Sequence, residues 1–438
     1  MRFFHDLGTL VEQRWRDEDY NEERFPAIAE QALAETAPHT RIDPWEVIRW
    51  INTAAELPEQ QDVAGRFGNP PITLFNGPRF YVDIYYWLDG TTTIHQHAFS
   101  GAFQVLLGSS LHSQYDFEEK RRINPHFSVG RVDMRQVELL KRGDVRPIWP
   151  GKRYIHSLFH LDRPSASVVI RTRRTPHALP QYNFHKPYLA IDPFYESAAM
   201  NKRLQSAALL LGMEHPQADE MIGELLAGSD FQTTFSVLEL LYNRLAHNQI
   251  EESFGLSEGK RRLAALFDIA RRRHGELVDL ILPVFAEAER QAYISHRRGQ
   301  ITSYEHRFFL ALLLNVPDRS RVLGLVAERF PDRDPVKAVM SWVEELANTK
   351  AMGSAEPNVL GIAGVDDDYL FVLECMLRGM TLEQTIQAFM EDCSASDAEN
   401  LESIPENIYH TISNSLPFKS IFLNSSQSPA YAPSPSGD

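Results

Sequence analysis

Two histidines separated by a single residue, His95 and His97, have the spacing of a metal-binding pair. If their segment is a β-strand, both imidazoles point to the same face, roughly 6–7 Å apart. Two imidazoles placed in this way can bind one metal ion at roughly 2.0–2.2 Å. The chain has 16 histidines among 438 residues, so one pair at this spacing is nearly expected by chance. Taken alone, the pair therefore fits two ordinary histidines at least as well as a metal site.

A third histidine follows a second pattern of turns further along the chain. A Gly143–Asp144 turn is followed by a strand-like run, a Pro150–Gly151 turn and then His156. We predict His156 as the third ligand because of its distance from the second turn. His160 is the alternative, either as the ligand itself or as a hydrogen-bond partner of a ligand.

Together, the two segments resemble the paired motifs of the cupin superfamily over about residues 60–185. In that superfamily the first motif supplies a His-x-His pair, and the second supplies a histidine after a Pro-x-Gly turn. This chain departs at the turn, because no residue separates Pro150 from Gly151. The resemblance implies a small antiparallel barrel whose lumen holds the imidazoles of His95, His97 and His156.

The ligand set also resembles that of the thiol dioxygenases, the cysteine dioxygenase type. Many cupins add a glutamate ligand after the His-x-His pair, but this chain has Gly101 and Ala102 at those positions. Ser100, Phe103 and Leu106 also follow the first-motif pattern of the thiol dioxygenases. The resemblance implies a mononuclear non-haem Fe(II) dioxygenase acting on O2 and a small anionic or thiol-containing substrate. Zn, Ni, Mn or Cu can occupy the same three-histidine site.

Two departures from the thiol dioxygenases leave the substrate and the reaction open. Cysteine dioxygenases have a cysteine, cross-linked to a tyrosine, where this chain has Ala102. The family orients substrate and oxygen with a Ser-x-His-x-Tyr segment, whereas the matching run Ser167–Arg173 has neither histidine nor tyrosine. Two other interpretations therefore remain. One is a cupin isomerase or lyase that uses its metal as a Lewis acid, and the other is a non-enzymatic, ligand-sensing barrel with a partner-binding helical domain.

Residues that shape the substrate pocket are predicted from their strand positions. They are Arg79, Tyr85, Trp87 and Phe103. The family resemblance also implies an arginine that binds a substrate carboxylate, and Arg66, Arg79 and Arg171 are all candidates. We otherwise interpret the basic run Arg171–Arg174 as a solvated strand end.

The chain changes character twice, which predicts a multidomain α+β protein. Residues 1–58 have helical spacing and are expected to pack on the barrel. Residues 59–198 alternate strand-like runs with Gly and Pro turns, the pattern of an antiparallel barrel, and the cupin resemblance makes it a double-stranded β-helix. Residues 199–415 have helical periodicity, and 416–438 form a Ser/Pro-rich tail expected to be disordered. The predicted strands cover 80–87, 91–98, 102–107, 137–140, 145–149 and 167–172.

The composition of the chain bears on its expected cellular compartment and on the classes of partner that it can bind. The 59 acidic and 44 basic side chains leave a net charge of −15, which argues against a nucleic-acid partner because phosphate contacts need a basic face. The sequence contains no run of about 18 apolar residues, so it predicts no membrane span. The charged N-terminal segment lacks the apolar stretch of a signal peptide, and two cysteines suit a reducing compartment, so we expect a cytoplasmic protein. The helical domain can cover the barrel mouth, form a homodimer or bind a protein partner.

Other reactive residues have plainer interpretations. Asp334, before Pro335, and Asp366 are predicted to cap helices rather than to bind metal. Cys375 lies among apolar residues and is predicted to be a buried core thiol.

Overall fold

The computed structural model describes residues 1–65, 67–88, 90, 93–246, 257–352, 356–392 and 402–422. It is an α+β protein in which a β-barrel and sheet region is followed by a helical region. At this level the fold class predicted from the sequence is confirmed. Arg66 and Cys393 lie outside the described residues.

Four N-terminal helices pack on one face of a β-sheet. They span Arg2–Asp17 (α1), Phe25–Thr36 (α2), Pro38–Arg41 (α3) and Pro44–Thr53 (α4). Helix α4 begins where the Asp43 carboxylate accepts a hydrogen bond from the Trp45 backbone N–H. The buried side chains Phe4 and Trp15 join a core cluster with Ile84 of the sheet. The N-terminal helices and the β-sheet therefore share one hydrophobic core.

The β region consists of two antiparallel layers. Its strands are Pro71–Asn76 (β1), Phe80–Trp87 (β2), Ile94–His95 (β3), Gly101–Leu107 (β4), Ser110–Asn124 (β5), Phe127–Leu140 (β6), Val145–Ile148 (β7), Ile155–His160 (β8), Ser165–Thr172 (β9), Asn183–His185 (β10) and Leu189–Ile191 (β11). One layer is a five-stranded sheet in the order β1-β2-β9-β4-β7, and the other closes as β10-β11-β6-β5-β8-β3. The predicted strands at 80–87, 102–107, 145–149 and 167–172 are confirmed to within two residues at each end.

Two strand predictions differ from the structure. Within the described part of the run predicted at 91–98, residues 93–98, only the short strand β3 forms, and His97 lies beyond its end in an isolated bridge with Pro150. Strands β5 and β6 form a long hairpin of which only 137–140 was predicted. The far half of β5 is mostly exposed and carries the charged run Glu118–Arg122, so it lacks the apolar alternation by which a half-buried strand is recognised.

The helical region packs on the outside of the closed layer. Its helices are Ala198–Gly212 (α5), Ala218–Gly228 (α6), Phe231–Leu245 (α7), Glu258–His274 (α8), Ile281–Gln300 (α9), Tyr304–Asn315 (α10), Arg319–Arg329 (α11), Pro335–Ala347 (α12), Asp367–Arg378 (α13), Leu382–Asp392 (α14), Ser403–Asn414 (α15) and Lys419–Phe422 (α16). Phe127 of β6 packs in the cluster of α5–α9, whereas Phe159 of β8 packs in the cluster of the later helices. None of the helices in the described ranges is long and apolar enough to cross a bilayer.

Several local predictions for the helical region hold, and one boundary moves. The Asp334 and Asp366 carboxylates cap α12 and α13 by accepting from the third backbone N–H that follows each of them. Cys375 is buried, as predicted. Residues 416–422, which we expected to be disordered, instead carry α16 and the fully buried Phe418, because that ring fills the core of the later helices. The rest of the predicted tail, 423–438, lies outside the described residues.

Candidate metal centre

Three buried histidines converge on one point inside the β region. His95, His97 and His156 each offer a ring nitrogen, and these nitrogens lie within 4.8 Å of one another. No other group of three or more His, Cys, Asp or Glu side chains with this geometry occurs in the described ranges. The structure therefore brings together the three residues that the sequence motifs singled out.

Backbone pairing positions the three rings. His95 of β3 and His156 of β8 are direct partners in the antiparallel register. The His97 carbonyl accepts a 2.7 Å hydrogen bond from the Gly151 N–H, so the Pro150–Gly151 turn holds the chain immediately after β3. The second sequence motif thus contributes its histidine and also anchors the backbone of the first motif.

The nitrogen lone pairs fit a metal ion. Nδ1 of His95 lies 3.2 Å from the Thr93 carbonyl oxygen, which can only accept, so Nδ1 carries the hydrogen and Nε2 the lone pair. That Nε2 is buried and has no partner among the described residues. The Nε2 atoms of His97 and His156 are 2.8 Å apart, close to the roughly 3.0 Å expected for two nitrogens bound at right angles at about 2.1 Å. Burial lowers the pKa of all three imidazoles, which favours the neutral form that binds metal.

His160, the alternative third ligand, lies outside this group. Its ring stacks on Trp87 with centroids 4.6 Å apart, and its Nδ1 lies 2.8 Å from the Ser165 hydroxyl. It lines the same cavity as His156, and burial lowers its pKa to about 3. His156 therefore joins the converging set, and His160 forms part of the wall.

The positions of a fourth, carboxylate ligand are closed by packing. A Cβ atom added at Gly101 would lie 2.1 Å from the Ile170 carbonyl oxygen, far inside van der Waals contact. Ala102 is fully buried in the core between the sheet and the N-terminal helices. Neither position accommodates a glutamate, so the candidate site gains no carboxylate from this segment.

The three histidines open into a cavity of about 740 Å³. The predicted pocket residues Tyr85, Trp87 and Phe103 all line it. Arg79 does not: it is exposed just before β2, on the side of the N-terminal helices, and its guanidinium lies 4.1 Å from the Tyr20 ring centroid. The prediction of Arg79 as a pocket residue was therefore wrong.

Of the arginines considered for binding a substrate carboxylate, Arg171 lines the cavity. Its guanidinium carbon lies 3.4 Å from the centroid of the Phe99 ring, and its buried Nε has no partner among the described residues. Arg173 and Arg174 line the cavity as well but are exposed beyond the end of β9, so the interpretation as a solvated strand end holds for these two residues and not for the half-buried Arg171.

Asp83 is a cavity residue that the sequence interpretation missed. It is 2% exposed, its Oδ2 accepts a 3.0 Å hydrogen bond from the Tyr85 hydroxyl, and its Oδ1 has no described partner. Burial raises the pKa of this carboxyl. The signal that could have identified it is its place as the single acidic residue in the otherwise apolar and aromatic strand Phe80–Trp87.

The sequence interpretation also missed a group of polar side chains that lies behind His156. Nδ1 of His156 lies 3.2 Å from Nε2 of His112, and Nδ1 of His112 lies 2.8 Å from the Glu138 carboxylate. Arg146 donates two hydrogen bonds to that carboxylate, and the Tyr154 hydroxyl lies 2.9 Å from the same His112 nitrogen. Without the β5–β6 hairpin, nothing in the sequence brings these residues together.

The helical region contributes none of the described residues that line the cavity, which all fall between 61 and 194. The helices pack behind β5, β6 and β8 instead of lining the opening. Comparison with known proteins adds no relative: no family model and no curated protein sequence matches this chain.

Proposed function

We propose that this chain is a metal-dependent oxidoreductase, a mononuclear non-haem Fe(II) dioxygenase that resembles the thiol dioxygenases. The observation that carries the proposal is the convergence of three neutral, buried imidazoles, His95, His97 and His156, in the lining of one cavity. We also infer a cupin-type double-stranded β-helix. In support, the cavity lies between the two antiparallel layers, with Val169 from one and Leu158 from the other.

An iron(II) ion held by three neutral imidazoles supplies a redox centre with open positions for an anionic substrate and O2. Oxidation of a thiol to a sulfinic acid is balanced without a co-reductant. The sulfur loses four electrons, O2 gains four, and both oxygen atoms end on sulfur. The reaction thus needs only the two substrates, which agrees with a cavity of ordinary small-molecule size.

The chain's own residues supply binding and orientation. Arg171 can pair with an anionic group of the substrate. Hydrogen bonds between charged groups are stronger than those between neutral groups, so this contact favours an anionic substrate over a neutral one. Asp83 and the Tyr85 hydroxyl offer a polar position on the same wall. The rings of Trp87, Phe99 and Phe103 hold the apolar part of the substrate and exclude water.

The test is elemental analysis of protein purified anaerobically, followed by oxygen uptake with a panel of thiols. We expect about one iron per chain, lost in His95→Ala, and oxygen uptake with at least one thiol. Stoichiometric metal without oxygen uptake for any thiol would instead favour an isomerase or lyase that uses the metal as a Lewis acid. A protein that contains no metal and binds none would overturn the proposed enzyme and leave a ligand-sensing barrel.

A further inference from the structure

A chain of hydrogen-bonding groups runs from His156 to the outer surface of the barrel. It passes through His112 and Glu138 to Arg146, with successive heavy-atom distances of 3.2, 2.8 and 2.9 Å. His112 is fully buried, whereas the side chains of Glu138 and Arg146 are 27% and 32% exposed. This series of hydrogen-bonded groups therefore connects a candidate metal ligand to a charged pair that is partly exposed to solvent.

Strand register brings these residues together. His112 of β5 is the direct partner of Glu138 in β6, and Gln114 of β5 is the direct partner of His156 in β8. Because β5 lies between β6 and β8, one central strand holds His112 between the carboxylate and the candidate ligand. The arrangement is a property of three paired strands rather than of one mobile side chain.

The direction of each hydrogen bond follows from chemistry. An ionised carboxylate only accepts, so Nδ1 of His112 carries its hydrogen and Nε2 of a neutral His112 is an acceptor. Arg146 and His112 lower the pKa of Glu138 to about 2, and burial lowers the pKa of His112. His156 then donates from Nδ1, and its Nε2 lone pair faces Nε2 of His97. The Tyr154 hydroxyl is a second donor directed at the same His112 nitrogen.

We propose that His112 and Glu138 are positioning residues that hold His156 in the tautomer with a free Nε2. This inference rests on the proposed metal site and deepens it. Outer-shell partners of this kind typically change metal affinity by about 10- to 100-fold. Glu138 acts through His112, so its effect is expected at the lower end of that range.

The barrel contains a matched control pair. His126 and Asp192 make the same imidazole–carboxylate contact at 2.8 Å, at the ends of β6 and β11. No described hydrogen bond or ring contact joins this pair to the three converging histidines. Substitutions there test the loss of an imidazole–carboxylate pair without a change behind His156.

The experiment titrates metal-free protein with Zn²⁺ in competition with a chelator, and with Co²⁺ followed by visible absorption. We expect His112→Leu to weaken Zn²⁺ binding by about 10- to 100-fold and Glu138→Gln by about tenfold. His112→Gln, whose amide oxygen can accept from His156, should recover part of the loss. His126→Leu and Asp192→Asn should bind like the wild type, and only the His112 and Glu138 variants should alter the Co²⁺ spectrum.

The outcomes separate the two proposals. If the wild type binds neither ion, the proposed function fails and this inference falls with it. If the wild type binds but His112→Leu and Glu138→Gln match the His126 and Asp192 controls in affinity and spectrum, the positioning role of His112 and Glu138 is wrong and the metal site stands. Circular dichroism checks folding. If His112→Leu does not fold, the near-isosteric Glu138→Gln decides the question.

Discussion

His95 and His156 lie directly opposite each other across the pairing of β3 with β8, and their ring centroids are 4.8 Å apart. This single pairing joins two histidines that are distant in the sequence. Because side chains alternate between the faces of a strand, a slip of one residue would turn one ring out of the cavity. The candidate metal site therefore depends on the register of one short strand.

Alanine substitutions should separate the ligands from the cavity wall. His156→Ala is expected to remove stoichiometric metal, since a site of three ligands cannot spare one. His160→Ala should retain metal, because His160 stacks on Trp87 outside the converging group. Metal content by elemental analysis checks both variants. Retention by His156→Ala together with loss from His160→Ala would reverse the ligand assignment.

Arg171 should control recognition of an anionic substrate. Arg171→Met is expected to lower kcat/KM for the best thiol carboxylate by about 10- to 150-fold, the equivalent of about 1.5–3 kcal/mol for hydrogen bonds to a charged group. Arg79→Met is the control and should change it little, because Arg79 lies over Tyr20 outside the cavity. Equal effects of the two variants would argue against a role for Arg171 in binding the anionic group of the substrate.

Stability should fall in mild acid partly because of His160. Its folded-state pKa is about 3, against an ordinary value of 6.5. Between these values the unfolded chain holds a proton that the folded protein lacks. The contribution of His160 to the free energy of unfolding is therefore fully present above about pH 6.5. It is lost as the pH falls towards the folded-state pKa, by up to about 1.4 kcal/mol per pH unit. Urea unfolding of metal-free protein at pH 7, 6 and 5 should show a shallower loss for His160→Gln; parallel curves would contradict this.

Gly101 should tolerate no side chain. Gly101→Ala places a Cβ atom against the Ile170 carbonyl, and we expect a loss of at least about 1–3 kcal/mol in the free energy of unfolding. Gly324, within helix α11, is the matched control, since an added Cβ there has no neighbour within 4 Å. Gly324→Ala should stabilise by about 0.5–1 kcal/mol. Chemical denaturation measures both, and the expected result is a pair of opposite signs.

The sequence by itself determined the features that depend on near neighbours in the chain. The aromatic run Phe80–Trp87 forms a strand with the predicted bounds, and Asp334 caps its helix. The His95–His97 spacing and the Pro150–Gly151 turn were also readable, because turn and strand geometry act over a few residues.

Only the tertiary structure decided which distant residues complete the site. It brings His156, and not His160, to His95 and His97, it puts Arg171, and not Arg79, in the cavity lining, and it places His112 behind His156. Each choice depends on the register between strands far apart in the chain. That register is set by the packing of whole faces in a folded core, a sum of many contacts that no local pattern encodes.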